Sequence, residues 1–377
     1  MKKSLFLAAI ATIALASCTQ NEDFSQPEKI NFNPVNYKAQ STKAPINTTT
    51  YSTTDPSFGV FAFWSKTKDW SLTADADLKQ YVGSNGSSVM IAFDNQWKST
   101  TDYYWPLSGK LTFIGYTPYY YGNLSTNGPV TASYAKSTKT LSITGFSAQY
   151  QDDLMYTVPE TAQNLTANGT EYTGATTSYK GVNIAFRHAL SQIVFKAKAA
   201  NNLAHATQFK ITKIEMKGIK DGATMTVVEN GTPQWTGYAS MTSQFDKIVY
   251  ENATTGTIVQ TGNPSAVSAE IGTGFLMIPQ TFSTTPTEDT DEFEVTYYMQ
   301  TSNLSDEWTG PITKSVKIQP QLASVAVGTK YVFTLTISPD RILYSPSVSD
   351  WVSQYDSDSD GTPDKNYGSD YDVPEQD

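Results

Sequence analysis

The residue whose position prescribes a covalent modification is Cys18. It is the only cysteine among 377 residues, and it closes the run Leu15-Ala16-Ser17-Cys18. Lys2 and Lys3 give a basic start, Leu5 to Leu15 form an apolar stretch of 11 residues, and small Ala16 and Ser17 precede the thiol. These are the parts of an export signal over residues 1–17 that ends in a lipobox, whose cysteine is the acylated residue. The apolar stretch is too short to cross a bilayer, which takes ~20 residues, so the expected attachment is a lipid such as palmitate on Cys18. Acyl chains contribute ~0.8 kcal/mol per buried methylene, and several of them hold a chain on a membrane without any spanning helix. A structural thiol behind an ordinary signal peptide is the weaker reading, because the sole cysteine lies at the lipobox position.

A second pattern could hold a cation. Asp356, Asp358 and Asp360 alternate before Gly361, and Thr362 and Asp364 follow. Alternating carboxylates can converge on one centre, Gly361 permits a sharp turn, and Thr362 offers a backbone carbonyl; hard Ca²⁺ suits such an oxygen set. The loop resembles those of EF-hands and thrombospondin type 3 repeats, although Tyr367 stands where an EF-hand carries its bidentate Glu. A solvated acidic tail accounts for the same residues, since Ser, Gly, Pro and like charges oppose packing. Both readings stay open, and no other cofactor is expected.

Catalytic constellations are scarce. There are two histidines, His188 and His205, and neither has a recognisable nucleophile and orienting acid at useful spacing. His188, between two apparent strands, reads as a hydrogen-bonded structural imidazole. No HExxH, P-loop, GxGxxG or CxxC occurs, so zinc protease, nucleotide and redox chemistry lack their ligands. A glycosidase needs only two facing carboxylates and leaves no linear signature; it ranks below the non-enzymatic readings. Seven tryptophans and 23 tyrosines belong mostly to strand packing. Tyr119, Tyr120 and Tyr121, in an expected loop after Pro118, form the candidate cluster for contact with a glycan or a host protein.

The elements that must position these residues are strands. With 16% charged and 12% aromatic residues and abundant Ser, Thr, Asn and Gly, the chain reads as an extracellular all-β protein of short strands. Apolar runs at Phe58 to Trp64, Tyr103 to Trp105, Leu111 to Tyr116, Leu141 to Thr144 and Leu154 to Val158 alternate with turn residues. The pattern continues at Val182 to Phe186, Leu190 to Ala197, Phe209 to Met216, Met225 to Val228, Phe275 to Ile278, Phe293 to Met299 and Thr313 to Ile318. A final run spans Tyr331 to Ile337, where Tyr331, Phe333, Leu335 and Ile337 fall at period two, which places them on one face. The 360 residues behind the signal exceed one core. The expected division is a lipidated N-terminal segment 18–54 with a short apolar patch at Ile30, Phe32 and Val35, a β-sandwich over 55–180, a second over 181–351, and an acidic tail over 352–377. Of the net charge of -10, residues 350–377 carry -8. The nearly neutral body carries no basic stripe, which argues against nucleic acid as partner.

Taken in order, several short motifs resemble the fimbrillin family, the Mfa-like and FimA-like type V pilin subunits of Gram-negative anaerobes. They are Ile30-Asn31-Phe32 before Ser41-Thr42-Lys43-Ala44, then Phe58-Gly59-Val60-Phe61-Ala62, Tyr104-Trp105-Pro106 and Lys110-Leu111-Thr112-Phe113. Val182-Asn183-Ile184-Ala185-Phe186, His188-Ala189-Leu190-Ser191, Leu276-Met277-Ile278-Pro279-Gln280, Gly328-Thr329-Lys330-Tyr331 and Asp350-Trp351 continue the series. The resemblance implies two tandem transthyretin-like β-sandwich domains and a structural, non-enzymatic role in adhesive fimbriae at the cell outer membrane, with other fimbrial subunits as partners. It further implies maturation by cleavage between Lys43 and Ala44, loss of a first strand carrying Ile30 and Phe32, and filling of the vacated slot by a strand from the next subunit. Lys43 replaces the arginine usual in the family. Residues Asp356 to Asp377 are too acidic to donate such a strand. The donor lies instead near Arg341 to Trp351, or the subunit donates nothing and is a tip or accessory subunit. The alternative is a non-polymerising surface lipoprotein that binds glycan or host protein. The polar segment Thr19-Gln20-Asn21-Glu22-Asp23 resembles the tag that sends lipoproteins to the outer surface.

A calcium titration separates the two readings of the tail. A bound ion gives saturable binding that Asp358→Ala and Asp360→Ala abolish; binding no different from a scrambled tail makes the segment a spacer.

Overall fold

The computed structural model describes residues 29–36, 51, 55–66, 75–106, 109–119, 130–157, 164–166, 181–200, 207–228, 231–238, 244–260, 269–284, 291–301 and 307–349. Strands dominate these residues, which contain no α-helix, and the fold is all-β. The first half contributes β1 (Phe32–Asn36), β2 (Phe58–Ser65), β3 (Lys79–Val82), β4 (Val89–Asp94), β5 (Gln96–Ser99), β6 (Lys110–Thr117), β7 (Thr131–Ala135), β8 (Thr140–Ser147), β9 (Met155–Tyr156), β10 (Asn164–Thr166) and β11 (Val182–His188). Then come β12 (Ser191–Ala199), β13 (Thr207–Lys220), β14 (Gly222–Val228), β15 (Gln234–Thr236), β16 (Gln244–Glu251), β17 (Thr257–Gln260) and β18 (Ala269–Met277). The series ends with β19 (Gln280–Thr281), β20 (Glu292–Thr301), β21 (Thr309–Lys317), β22 (Ser324–Val325), β23 (Lys330–Ile337) and β24 (Ile342–Ser349).

The first sheet closes on itself. Pairing runs β6-β9-β11-β1-β5-β4-β2 and returns from β2 to β6, with β3 and β10 attached outside the ring. Alternation along β2 explains the arrangement, because successive side chains leave opposite faces. Phe58, Val60 and Ala62 enter the core inside the ring, whereas Phe61 and Phe63 join the core on its outer face. Gly59 lies opposite Tyr116 on β6, and an added Cβ would come within 2.3 Å of the Tyr116 ring. The outer core is covered by a second sheet, β15-β14-β8-β7.

A third core fills the space between the sheets β18-β12-β23-β24 and β16-β13-β20-β21. Tyr331, Phe333, Leu335 and Ile337 all face it from β23, none more than 6% exposed, as their period-two spacing predicts. These facing sheets around separate cores fit the expected pair of β-sandwich lobes. Sheet membership does not follow a single cut at residue 180, however. β11 pairs with β1 and β9 of the ring, and β14 returns from the second half to pair with β8, carrying β15 on its other side. The run Tyr103 to Trp105 forms no strand of its own; Tyr104 makes one bridge to Lys29, and Pro106, lacking an N–H, cannot extend a ladder.

Two glutamines clip distant segments by imitating a strand's backbone, Gln151 between the two halves and Gln280 within the second. Gln151 accepts from the Leu276 N–H at 2.8 Å and donates to the Leu276 carbonyl at 3.0 Å. Gln280, 6% exposed, accepts from the Lys220 N–H and donates to the Lys220 carbonyl, each at 3.0 Å. Truncation would strand buried backbone groups, which costs ~1–3 kcal/mol. Urea unfolding of Gln280→Ala should show a loss of that size, whereas exposed Gln234→Ala should change stability by under ~0.5 kcal/mol; equal effects would show that the clip contributes nothing.

Candidate strand-exchange site

Of the residues singled out in the sequence, Ile30, Phe32 and Tyr119 lie within the described structure. Cys18, Lys43, Ala44, Tyr120, Tyr121, Asp356, Asp358, Asp360, Thr362 and Asp364 lie outside it. Ile30 is 4% and Phe32 2% exposed, and both belong to the core inside the ring. They reach it because β1 is inserted between β11 and β5.

The two sides of β1 are held unequally. Along β11 it runs parallel through five residue pairs, from Phe32 opposite Val182 to Asn36 opposite Phe186. Toward β5 it makes one antiparallel pair, Phe32 with Trp97. The cause is local. The Val182 N–H donates to the Asn31 carbonyl at 2.8 Å; since backbone groups alternate sides along a strand, those of Phe32 and Pro34 face β5. Pro34 has no N–H to offer there, so the ladder stops.

Aromatic side chains surround the buried part of the strand. Phe32 meets Phe58 and Phe113 edge to face, with ring centroids 6.1 and 5.7 Å apart. Behind them Tyr51 packs on Trp97 at 5.1 Å and on Phe186 at 5.5 Å. The Tyr51 hydroxyl donates to the Pro56 carbonyl at 2.5 Å and lies 2.8 Å from the Thr117 hydroxyl, and burial raises its pKa far above the usual phenol value. Tyr51 is not part of β1; through Phe58, Trp97 and Phe186 it belongs to the wall against which Phe32 packs.

At the strand's entrance, the Ile30 N–H donates to the Tyr103 carbonyl at 2.8 Å. Lys29 Nζ donates to Asp102 Oδ2 at 2.5 Å, and this hydrogen bond raises the Lys29 pKa. Burial of Ile30 and Phe32 contributes ~1.5–3 kcal/mol apiece, while an ion pair as exposed as Lys29 with Asp102 is screened by solvent and contributes little. The sum is a large share of a typical folding free energy of ~5–15 kcal/mol. A slot left empty therefore threatens the lobe, and the apolar side chains, not the ion pair, hold the strand.

Lys29, Tyr51, Trp97 and Asp102 were not anticipated as parts of this site. Tyr51 is an isolated aromatic in a Ser/Thr-rich stretch and carries no periodic signal. The pair formed by Lys29 with Asp102 spans 73 residues, beyond any local pattern.

The remaining candidates have structural places. His188 Nδ1 lies 3.0 Å from Asp153 Oδ1, both side chains buried, which matches the expected hydrogen-bonded imidazole. Tyr119 stacks on buried Tyr116 at 6.4 Å, so part of its ring is already covered. Among the described residues no group of three or more His, Cys, Asp or Glu could hold a metal ion. The suggested donor region is β24, which pairs with β23 through eight residue pairs. Its Tyr344 packs on Phe293 and Phe333 at 5.3 and 5.2 Å, with its hydroxyl donating to the Ile318 carbonyl.

If β1 closes the ring, Phe32→Ala should lower stability by ~3–5 kcal/mol. Leu343→Ala, at a side chain 53% exposed on β24, should stay within ~0.5 kcal/mol. Urea midpoints measure both, and indistinguishable midpoints would remove β1 from the core.

Comparison with known proteins follows this geometry. No curated protein matches the chain. A fimbrial protein from Bacteroides vulgatus ATCC 8482 is 18% identical over 86% of this chain and 99% of its own, with a TM-score of 0.56, and so shares the fold. A candidate cell adhesion protein from Bacteroides uniformis ATCC 8492 is 14% identical over 86% and 99% of the two chains, with a TM-score of 0.45. The family model described as fimbrillin-like matches residues 42–351, starting just before the Lys43–Ala44 bond and leaving β1 upstream of its span. The match covers most of the chain, which therefore belongs to the fimbrillin-like family.

Proposed function

We propose that the chain is a structural subunit of a surface fimbrium, matured from an outer-membrane lipoprotein by cleavage after Lys43, and that it accepts a strand from another subunit in place of β1. The observation that carries this reading is the position of β1. It is a core strand of the ring, yet it lies N-terminal to the expected cut and is laddered fully on one side only. Removing it exposes the edge of β11 and the aromatic pocket around Phe58 and Phe113, which together offer an extended peptide both backbone partners and side-chain anchors.

Its place is terminal, at the tip or as an accessory subunit, because the chain accepts but does not donate. β24 is the suggested donor, and its inward residues Ile342 and Tyr344 are buried in its own lobe at 8% and 6% exposure. Moving them to another copy would lose at home what is gained abroad, while association costs at least ~4 kcal/mol. Host glycan or protein at Tyr119 to Tyr121 has no comparable support, since Tyr119 is partly covered by packing.

The test uses the full-length soluble chain, cut after residue 43 and mixed with a synthetic peptide of residues 27–37. The expected result is one peptide bound per cut chain and none on the uncut chain, with no self-association by light scattering. Self-assembled ladders of the cut chain would replace the terminal role with a stalk role. No peptide binding and no assembly would favour the non-polymerising surface lipoprotein.

A further inference from the structure

An alternating apolar strand is a poor key. Ile30, Phe32 and Pro34 all face inward, but apolar contact is non-directional, and a slip of two residues or a reversed entry still presents apolar groups to the slot. Beside the backbone hydrogen bonds, which any residue can make, the strand's start carries a directional side-chain contact. Lys29 reaches Asp102 across a cavity of about 320 Å³ lined also by Ile30, Asp94, Lys98 and Ser99. Lys98 is engaged by Asp94 at 2.8 Å, which leaves Lys29 as the cation on Asp102. When β1 departs, Lys29 departs with it, and Asp102 remains at the mouth of the slot.

Resting on the strand-exchange reading above, we infer that Asp102 is a specificity-determining residue: it fixes the polarity and register of the incoming strand by selecting a basic residue immediately before its first apolar anchor. The occupant is a strand of another subunit with the order basic, aliphatic, any, aromatic, any, proline, running parallel to β11. Each position has a reason. The basic residue meets Asp102, the aliphatic and aromatic residues take the places of Ile30 and Phe32, and proline ends the ladder toward β5 as Pro34 does. The same order recurs at Arg341-Ile342-Leu343-Tyr344-Ser345-Pro346, the start of β24, where Ile342, Tyr344 and Pro346 again point inward and Arg341 is exposed. This fold thus packs the pattern twice, each time in a strand with a full ladder on one side only.

The experiment exchanges labelled peptides into the full-length soluble chain, cut after residue 43 with its own fragment initially seated. One peptide has the sequence of residues 27–37 and the other carries Lys29→Gln; each is measured on the wild-type slot and on Asp102→Asn. The wild-type slot should hold the Lys peptide about two- to fivefold more tightly, the range open to a half-exposed ion pair. Asp102→Asn should erase the preference, and Asp102→Lys should restore discrimination in favour of a Lys29→Glu peptide. Equal binding of both peptides to the wild-type slot would overturn the role of Asp102 while leaving strand exchange standing. Failure of every peptide to enter would overturn both.

Discussion

The backbone groups of a buried strand must be paired, and in this molecule a single short segment supplies the pairing that closes the first core. β1 satisfies the edge of β11 and inserts Phe32 among Phe58, Phe113 and the rings behind them. Without it the ring of seven strands becomes an open sheet with two free edges and an exposed aromatic cleft. Free edges invite pairing with another chain. The strand exchange proposed above would satisfy those edges with a neighbour's segment.

The second lobe is built differently. Its core lies between two sheets whose central strands are long, and β13 alone spans fourteen residues. Its last strand, β24, is an edge strand, whereas β1 lies between β11 and β5; β24 makes a complete antiparallel ladder with β23 and buries Tyr344 at home. On the proposed reading the first lobe loses a strand and regains one, while the second keeps its own. The Gln151 clip at Leu276 joins the second half of the chain to the first, where Leu276 and Ile278 are also buried in the outer core of the first lobe.

Much of the fold was legible locally. The run from Phe58 to Trp64 is β2, the alternation from Tyr331 to Ile337 is the inward face of β23, and the apolar patch at Ile30, Phe32 and Val35 overlaps β1, which begins at Phe32. What periodicity could not convey was partnership. Nothing near Val182 in sequence says that it will lie beside Phe32, and nothing near β14 says that it will return to cover the first lobe against β8. Polar strands such as β3 and β16 also escaped, because their alternation is weak and their edges are set by neighbours. Tyr51, Trp97 and Asp102 escaped for the same reason: each becomes part of the site only through a contact distant in sequence.

The most direct measurement is hydrogen exchange at the amides of β11 in the chain cut after residue 43, before and after its N-terminal fragment is removed. The account predicts that the Val182 N–H, which donates to Asn31, and its neighbours facing β1 lose protection when the fragment leaves, while amides of β13 and β20 keep theirs. Unchanged protection at Val182, or loss of protection in both lobes together, would contradict the claim that β1 is a separable closing strand.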